Sequence, residues 1–136
     1  MVALPKEVME TINNPKASKV LATVRADGTP HMVQAGSIMA TSPELIVFGA
    51  IIMKETGANL EVMKKKKAAV SILVTEGMKS YQIKAKIMEA LTEGPYMDRM
   101  NEVLKPLGLK AHTVWTVEPT DVWNQSPGYE AGKKIA

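Results

Sequence analysis

Lys54 and Thr56 stand at the head of Met53-Lys54-Glu55-Thr56-Gly57-Ala58-Asn59-Leu60, a stretch that feeds a short helix predicted over 58–67. A lysine, a threonine hydroxyl and the start of a helix, converging within six residues, suit a phosphate. Exposed N–H groups point at the anion, the lysine adds charge and the hydroxyl donates. The same residues also fit a plainer role, with Thr56 as an ordinary N-cap and Lys54 on the surface. Other chemistries find less support. The only two histidines, His31 and His112, fall in predicted strands without an HxH or HxxxH partner, which argues against a protein-ligated metal. With no cysteine there is no thiolate nucleophile, thiolate metal site or disulfide framework. Gly36-Ser37 sits mid-strand and lacks the Gly-x-Ser-x-Gly elbow of a hydrolase. Neither GxGxxG nor a Walker-type loop occurs, and no catalytic residue is assigned.

Charge narrows the partners. The net charge of +3 rests on the run Lys64 to Lys67, without which 13 basic residues face 14 acidic ones. One local cluster, two arginines and 4% aromatic residues do not make a nucleic-acid surface, which needs a basic stripe and stacking platforms. The run reads as a solvated helix end, with an accessory nucleic-acid role as the weaker alternative. No apolar run is long enough for a membrane span, and Met1 to Lys6 is unlike a signal segment, so a cytoplasmic protein without membrane contact is expected.

The elements that must hold these residues can be read from periodicity. A length of 136 residues predicts one domain over 1–136. Leu4, Val8, Met9 and Ile12 take helical spacing behind Pro5. Lys19 to Arg25 reads as a strand leading into Asp27-Gly28, a hairpin signal. The return is expected over 30–40 and a third strand over 44–48, making a meander. Residues 49–59 read as a loop. Ala68 to Thr75 is a continuous apolar strand that looks buried on both faces, whereas 80–91 alternates, with Tyr81, Ile83, Ala85 and Ile87 on one face. A helix begins at Gly94-Pro95, a sixth strand covers 111–118, and a C-terminal tail over 119–136 holds Trp123 and Tyr129. Six antiparallel strands with short helices suggest a small closed or split β-barrel.

The order of these parts resembles the FMN-binding split-barrel family, the superfamily of pyridoxamine 5′-phosphate oxidase and of small FMN-binding proteins. The resemblance covers most of the chain and rests on Val20-Leu21-Ala22-Thr23, on Asp27-Gly28 with Pro30-His31-Met32-Val33, on Met53 to Leu60 ending Thr-x-x-Asn-Leu, and on the tail Ser126 to Lys133. It implies a homodimer with the flavin at the subunit interface. The strand beneath the ring maps onto Gln34, Ala35, Gly36 and Ser37, and the ring edge onto Gly49, Ala50 and Ile51, where Gly49 permits close backbone approach. The phosphate maps onto Lys54, Thr56 and Asn59. Glu55 departs from the commoner Lys-Thr doublet and must turn away from the phosphate. Trp115, Trp123 or Tyr129 is a candidate to cover the ring from the partner chain, Trp123 foremost, with plain packing as the alternative for the tryptophans.

The function so implied is non-covalent FMN binding by a flavin-dependent oxidoreductase or electron carrier whose donor and acceptor are unspecified. Two arginines are too few for the second phosphate of a true pyridoxamine 5′-phosphate oxidase. The alternative is a binding module on the same barrel, holding haem through His31 or His112, a deazaflavin, or no cofactor.

Overall fold

The computed structural model describes residues 1–51 and 54–136. Helix α1 (Lys6–Ile12) follows Pro5 and buries Val8 and Ile12, with Leu4 packed one turn earlier. Strands β1 (Ser18–Val24) and β2 (Pro30–Gln34) form the expected hairpin. Gly28 turns it at φ +89°, and the Asp27 carboxylate accepts from the Thr29 N–H at 2.9 Å. The next strands are β3 (Met39–Ser42) and β4 (Leu45–Ala50), then helix α2 (Lys54–Lys65), β5 (Ala69–Glu76) and β6 (Lys79–Leu91). Helix α3 (Pro95–Leu104) continues into a 3-10 turn at Lys105–Leu107, and β7 (Thr113–Asn124) and the short β8 (Lys133–Lys134) complete the chain.

The sheet is antiparallel in the order β2-β1-β5-β6-β7-β4-β3, with β8 on β7. Its two edge strands, β2 and β3, are consecutive in sequence and joined only by residues 35–38. Five Cα steps reach at most roughly 17 Å. Seven flat strands would hold those edges about 29 Å apart at roughly 4.8 Å per spacing. The sheet must therefore curl until β2 and β3 approach, and bulges in the β6/β7 pairing near Lys84 and Ile87 supply local bending. The edges do not pair with each other among the described residues, so the barrel is split.

Several expectations are corrected. The predicted strand 30–40 breaks at Gly36-Ser37, where the Ile38 N–H closes a turn onto the Ala35 carbonyl at 3.2 Å. This break and β8 turn the six predicted strands into eight, and β3 and β4 join the sheet through β7, at the other end of the strand order, rather than by pairing with the first hairpin. Strand β5 buries one face only: Val70, Ile72 and Val74 point inward, while Leu73 on the opposite face is 41% exposed. It is β4 that is covered on both faces, with Ile46 and Phe48 in the barrel and Val47 against Met97, Met100 and Leu104 of α3. Strand β7 runs past Pro119 to Asn124. The tail then returns to its own chain: the Ile135 N–H meets the Val122 carbonyl at 2.8 Å and Lys134 pairs with Asp121 at 2.8 Å.

Candidate functional site

Helix α2 starts inside the segment read as a loop, and its buried residues are Thr56, Asn59, Leu60 and Met63. That spacing is one helical face laid on β1. Thr56 is therefore a residue of the helix rather than its cap. The Asn59 amide donates to the Thr23 hydroxyl of β1 at 3.1 Å, both buried, and the Met63 sulfur accepts from the Val24 N–H at 3.4 Å. These contacts hold α2 along β1, which leaves its first turn beside His31 and Val33 of β2. Met53, at the head of the segment, lies outside the described residues.

A pocket of about 280 Å³ forms there, lined by His31, Val33, Gln34, Ile51, Lys54, Glu55 and Thr56. The fold thus gathers Gln34, Ile51, Lys54 and Thr56 from three separate stretches of the sequence. Glu55 does not turn away. It lines the pocket and pairs with the Arg25 Nε, while His31 Nδ1 lies 3.6 Å from the Glu55 carboxylate and 3.2 Å from the Arg25 guanidinium. The Arg25 hydrogen bond holds the Glu55 carboxyl below its ordinary range, and the same bond raises the Arg25 guanidinium. Arg25 meets that negative charge, and no carboxylate lies within ion-pair distance of Lys54 among the described residues. A surplus of positive charge at a helix beginning is the chemistry of an anion site.

The remaining sequence-derived candidates lie elsewhere. Gly36 and Ser37, with Ile51, line a second and larger hollow of about 960 Å³. Ala35 is buried and Ala50 half-buried against the barrel core. The Gly49 N–H donates to the Ser37 hydroxyl at 3.0 Å, and a Cβ on Gly49 would meet the Met100 and Ala111 side chains at 3.1 Å. Close packing of α3 therefore accounts for this glycine. Trp115 is 2% exposed within the barrel core, and Tyr129 is exposed on the tail. Trp123 lies on the outer face in one row with Gln34, Val20, Leu73 and Gln82. Four strand spacings, about 19 Å, separate it from Gln34 in its own chain. His112 is exposed and precedes β7.

Sequence reading missed Arg25 and Lys19 as site residues and named His31 only as a haem ligand of the alternative reading. Lys19 shares the inward parity of Leu21 and Thr23, a visible signal, because an inward-facing lysine needs partners. It is 8% exposed and its ammonium donates to the carbonyls of Ile38 at 2.8 Å and Gly36 at 3.4 Å. Burial lowers its pKa from the usual 10.5. His31 reaches the pocket, and Arg25 reaches Glu55 at its wall, only because the hairpin lays them beside α2. No three His, Asp or Glu side chains gather into a metal-binding group among the described residues, and no described helix is long and apolar enough to cross a membrane.

The fold has solved counterparts. HupZ of Group A Streptococcus matches with a TM-score of 0.76 at 20% identity, over 95% of this chain and 99% of that one. An FMN-binding protein of Syntrophomonas wolfei subsp. wolfei matches with a TM-score of 0.75 at 17% identity, over 87% and 83% of the two chains. An F420 reductase matches with a TM-score of 0.65 at 20% identity, over 88% and 98%. At these identities the likeness establishes the split-barrel fold alone. No protein of curated function matches the sequence. The family model described as pyridoxamine 5′-phosphate oxidase matches residues 4–126.

Proposed function

Because the chain belongs to the pyridoxamine 5′-phosphate oxidase family, we propose that it binds FMN non-covalently and serves as a flavin-dependent oxidoreductase or electron carrier. The observation that carries this reading is the pocket at the start of α2, where Lys54 and Thr56 line a space suited to a phosphate and the neighbouring Arg25 meets the charge of Glu55. Lys54 supplies the charge, Thr56 the hydroxyl, and Asn59 keeps the helix in place through Thr23. A bound flavin supplies the redox chemistry itself. The chain's own residues hold the anion and shield the ring, which on this reading lies from Gln34 past Ile51 toward Gly36 and Ser37. Pyridoxamine 5′-phosphate oxidation itself is disfavoured. Of the two arginines, Arg25 is engaged with Glu55, leaving too few for a second phosphate.

The reading includes a homodimer. The outer face of β2-β1-β5 carries an apolar surface in which Met32 is 67% exposed, Leu73 and Val24 are exposed, and Val20 and Ala22 are half-buried. Trp123 ends the same row, so a partner's face laid across it brings a second Trp123 toward the Gln34 side of the pocket.

Flavin fluorescence quenching tests the cofactor. One FMN per chain is expected, with riboflavin bound at least tenfold more weakly, since a charge-assisted contact contributes about 1.5–3 kcal/mol. Equal affinity for the two removes the phosphate assignment. A deazaflavin is the second reading, favoured by Glu55 beside the pocket, because the F420 phosphodiester carries less charge than a phosphate monoester. Titration with F420 alongside FMN separates them.

A further inference from the structure

Lys19 projects from the inward face of β1 and is buried. A buried ammonium is costly unless a carboxylate meets it, and Lys19 has none within ion-pair distance among the described residues. Its partners are two backbone carbonyls, that of Ile38 at 2.8 Å and that of Gly36 at 3.4 Å. Fastening the 35–38 link in this way needs only a neutral donor. The full positive charge is therefore more than the link requires.

The surroundings keep that charge effective. Lys19 lines the larger hollow together with Gly36, Ser37 and Ile51, and no Asp or Glu lines it among the described residues. Arg99, the other cation on this wall, is exposed and so screened by water and salt, whereas burial leaves Lys19 little screened. The Gly36–Ser37 peptide is trans, so with its carbonyl turned to Lys19 its N–H faces the opposite way. That N–H, of Ser37, has no hydrogen-bond partner among the described residues. A cation bonded to the carbonyl polarises the peptide and makes the N–H a stronger donor.

We propose that Lys19 sets the reduction potential of the bound flavin, its charge acting across the Gly36–Ser37 peptide on the ring. This role rests on the flavin reading above, which extends the ring toward Gly36 and Ser37. Uptake of two electrons and one proton turns the neutral oxidised ring into an anion. A buried cation beside it stabilises the reduced form more than the oxidised one and raises the potential.

The test is the midpoint potential of FMN bound to the full chain at pH 8, read during stepwise dithionite reduction against a reference dye. Lys19→Met and Lys19→Gln both remove the charge, and the glutamine keeps a donor for the link. Each is expected to weaken reduced FMN at least tenfold relative to oxidised FMN, a fall of about 30 mV for the two-electron couple. Lys19→Arg, which keeps the charge, should recover more than half of that fall. A Lys19→Arg potential as low as that of Lys19→Met overturns the proposal and leaves Lys19 as a fastener of the link. Potentials in Lys19→Gln and the natural protein that coincide also overturn it, with the flavin reading intact. A natural protein that does not bind FMN removes the flavin reading and this role together.

Discussion

The Lys19 ammonium on β1 donates to the Ile38 carbonyl at 2.8 Å, while the Lys19 backbone carbonyl accepts from the Ala35 N–H at 2.9 Å. One residue thus fastens both ends of the link that carries the chain from one edge of the sheet to the other. Lys19→Met keeps the length of the side chain and deletes its donors, leaving buried carbonyls short of a partner. A loss of about 1–3 kcal/mol is expected in denaturant unfolding. The pH dependence has a definite sign. Burial lowers the folded-state pKa of Lys19, so the unfolded chain binds more protons between that value and 10.5. The stability of the natural protein relative to Lys19→Met should therefore rise as pH increases through that window, and a falling difference contradicts the assignment.

Lys54→Ala and Thr56→Ala should each weaken FMN about tenfold or more, with riboflavin affinity unchanged, since each removes a donor to the phosphate. Lys54→Ala should leave the unfolding midpoint in place, because Lys54 is exposed. Lys66→Ala, at the far end of α2, is the control for general charge. Calorimetry decides among the three, and an equal effect at Lys66 moves the phosphate elsewhere.

Glu55→Gln should tighten FMN by roughly fivefold at neutral pH. Its carboxyl is held ionised by Arg25, and removing that negative charge relieves its repulsion of the phosphate. Riboflavin, lacking the phosphate, should respond little. A weaker FMN complex in this variant would instead assign Glu55 a binding role, through its hold on Arg25 and His31.

Lys67 ends the lysine run in the left-handed region at φ 57°, the position after a helix where glycine is favoured, and the Ala68 N–H bonds back to Met63 at 2.9 Å. Lys67→Gly should raise stability by about 0.5–1 kcal/mol and leave FMN binding unaltered. Thermal unfolding measures the first and fluorescence titration the second.

Local spacing determined much of this protein. The Asp27-Gly28 hairpin, the inward face of Tyr81, Ile83, Ala85 and Ile87, the Pro95 helix start, and the Lys54-Thr56 pair at a helix beginning follow from neighbours one to four residues apart, because turn chemistry and periodicity are local. What needed the tertiary structure is whatever depends on residues far apart in sequence. Gly36-Ser37 reads as strand interior until the Lys19 side chain claims the carbonyls beyond it. Gly49 suits a cofactor edge equally well until Met100, fifty-one residues on, occupies the space beside it. Glu55 reads as an intruder until the hairpin brings Arg25 to meet its charge. Trp115 and Trp123, eight residues apart on one strand, part between the barrel core and the outer face, because an extra residue of β7 at its bulge shifts the alternation.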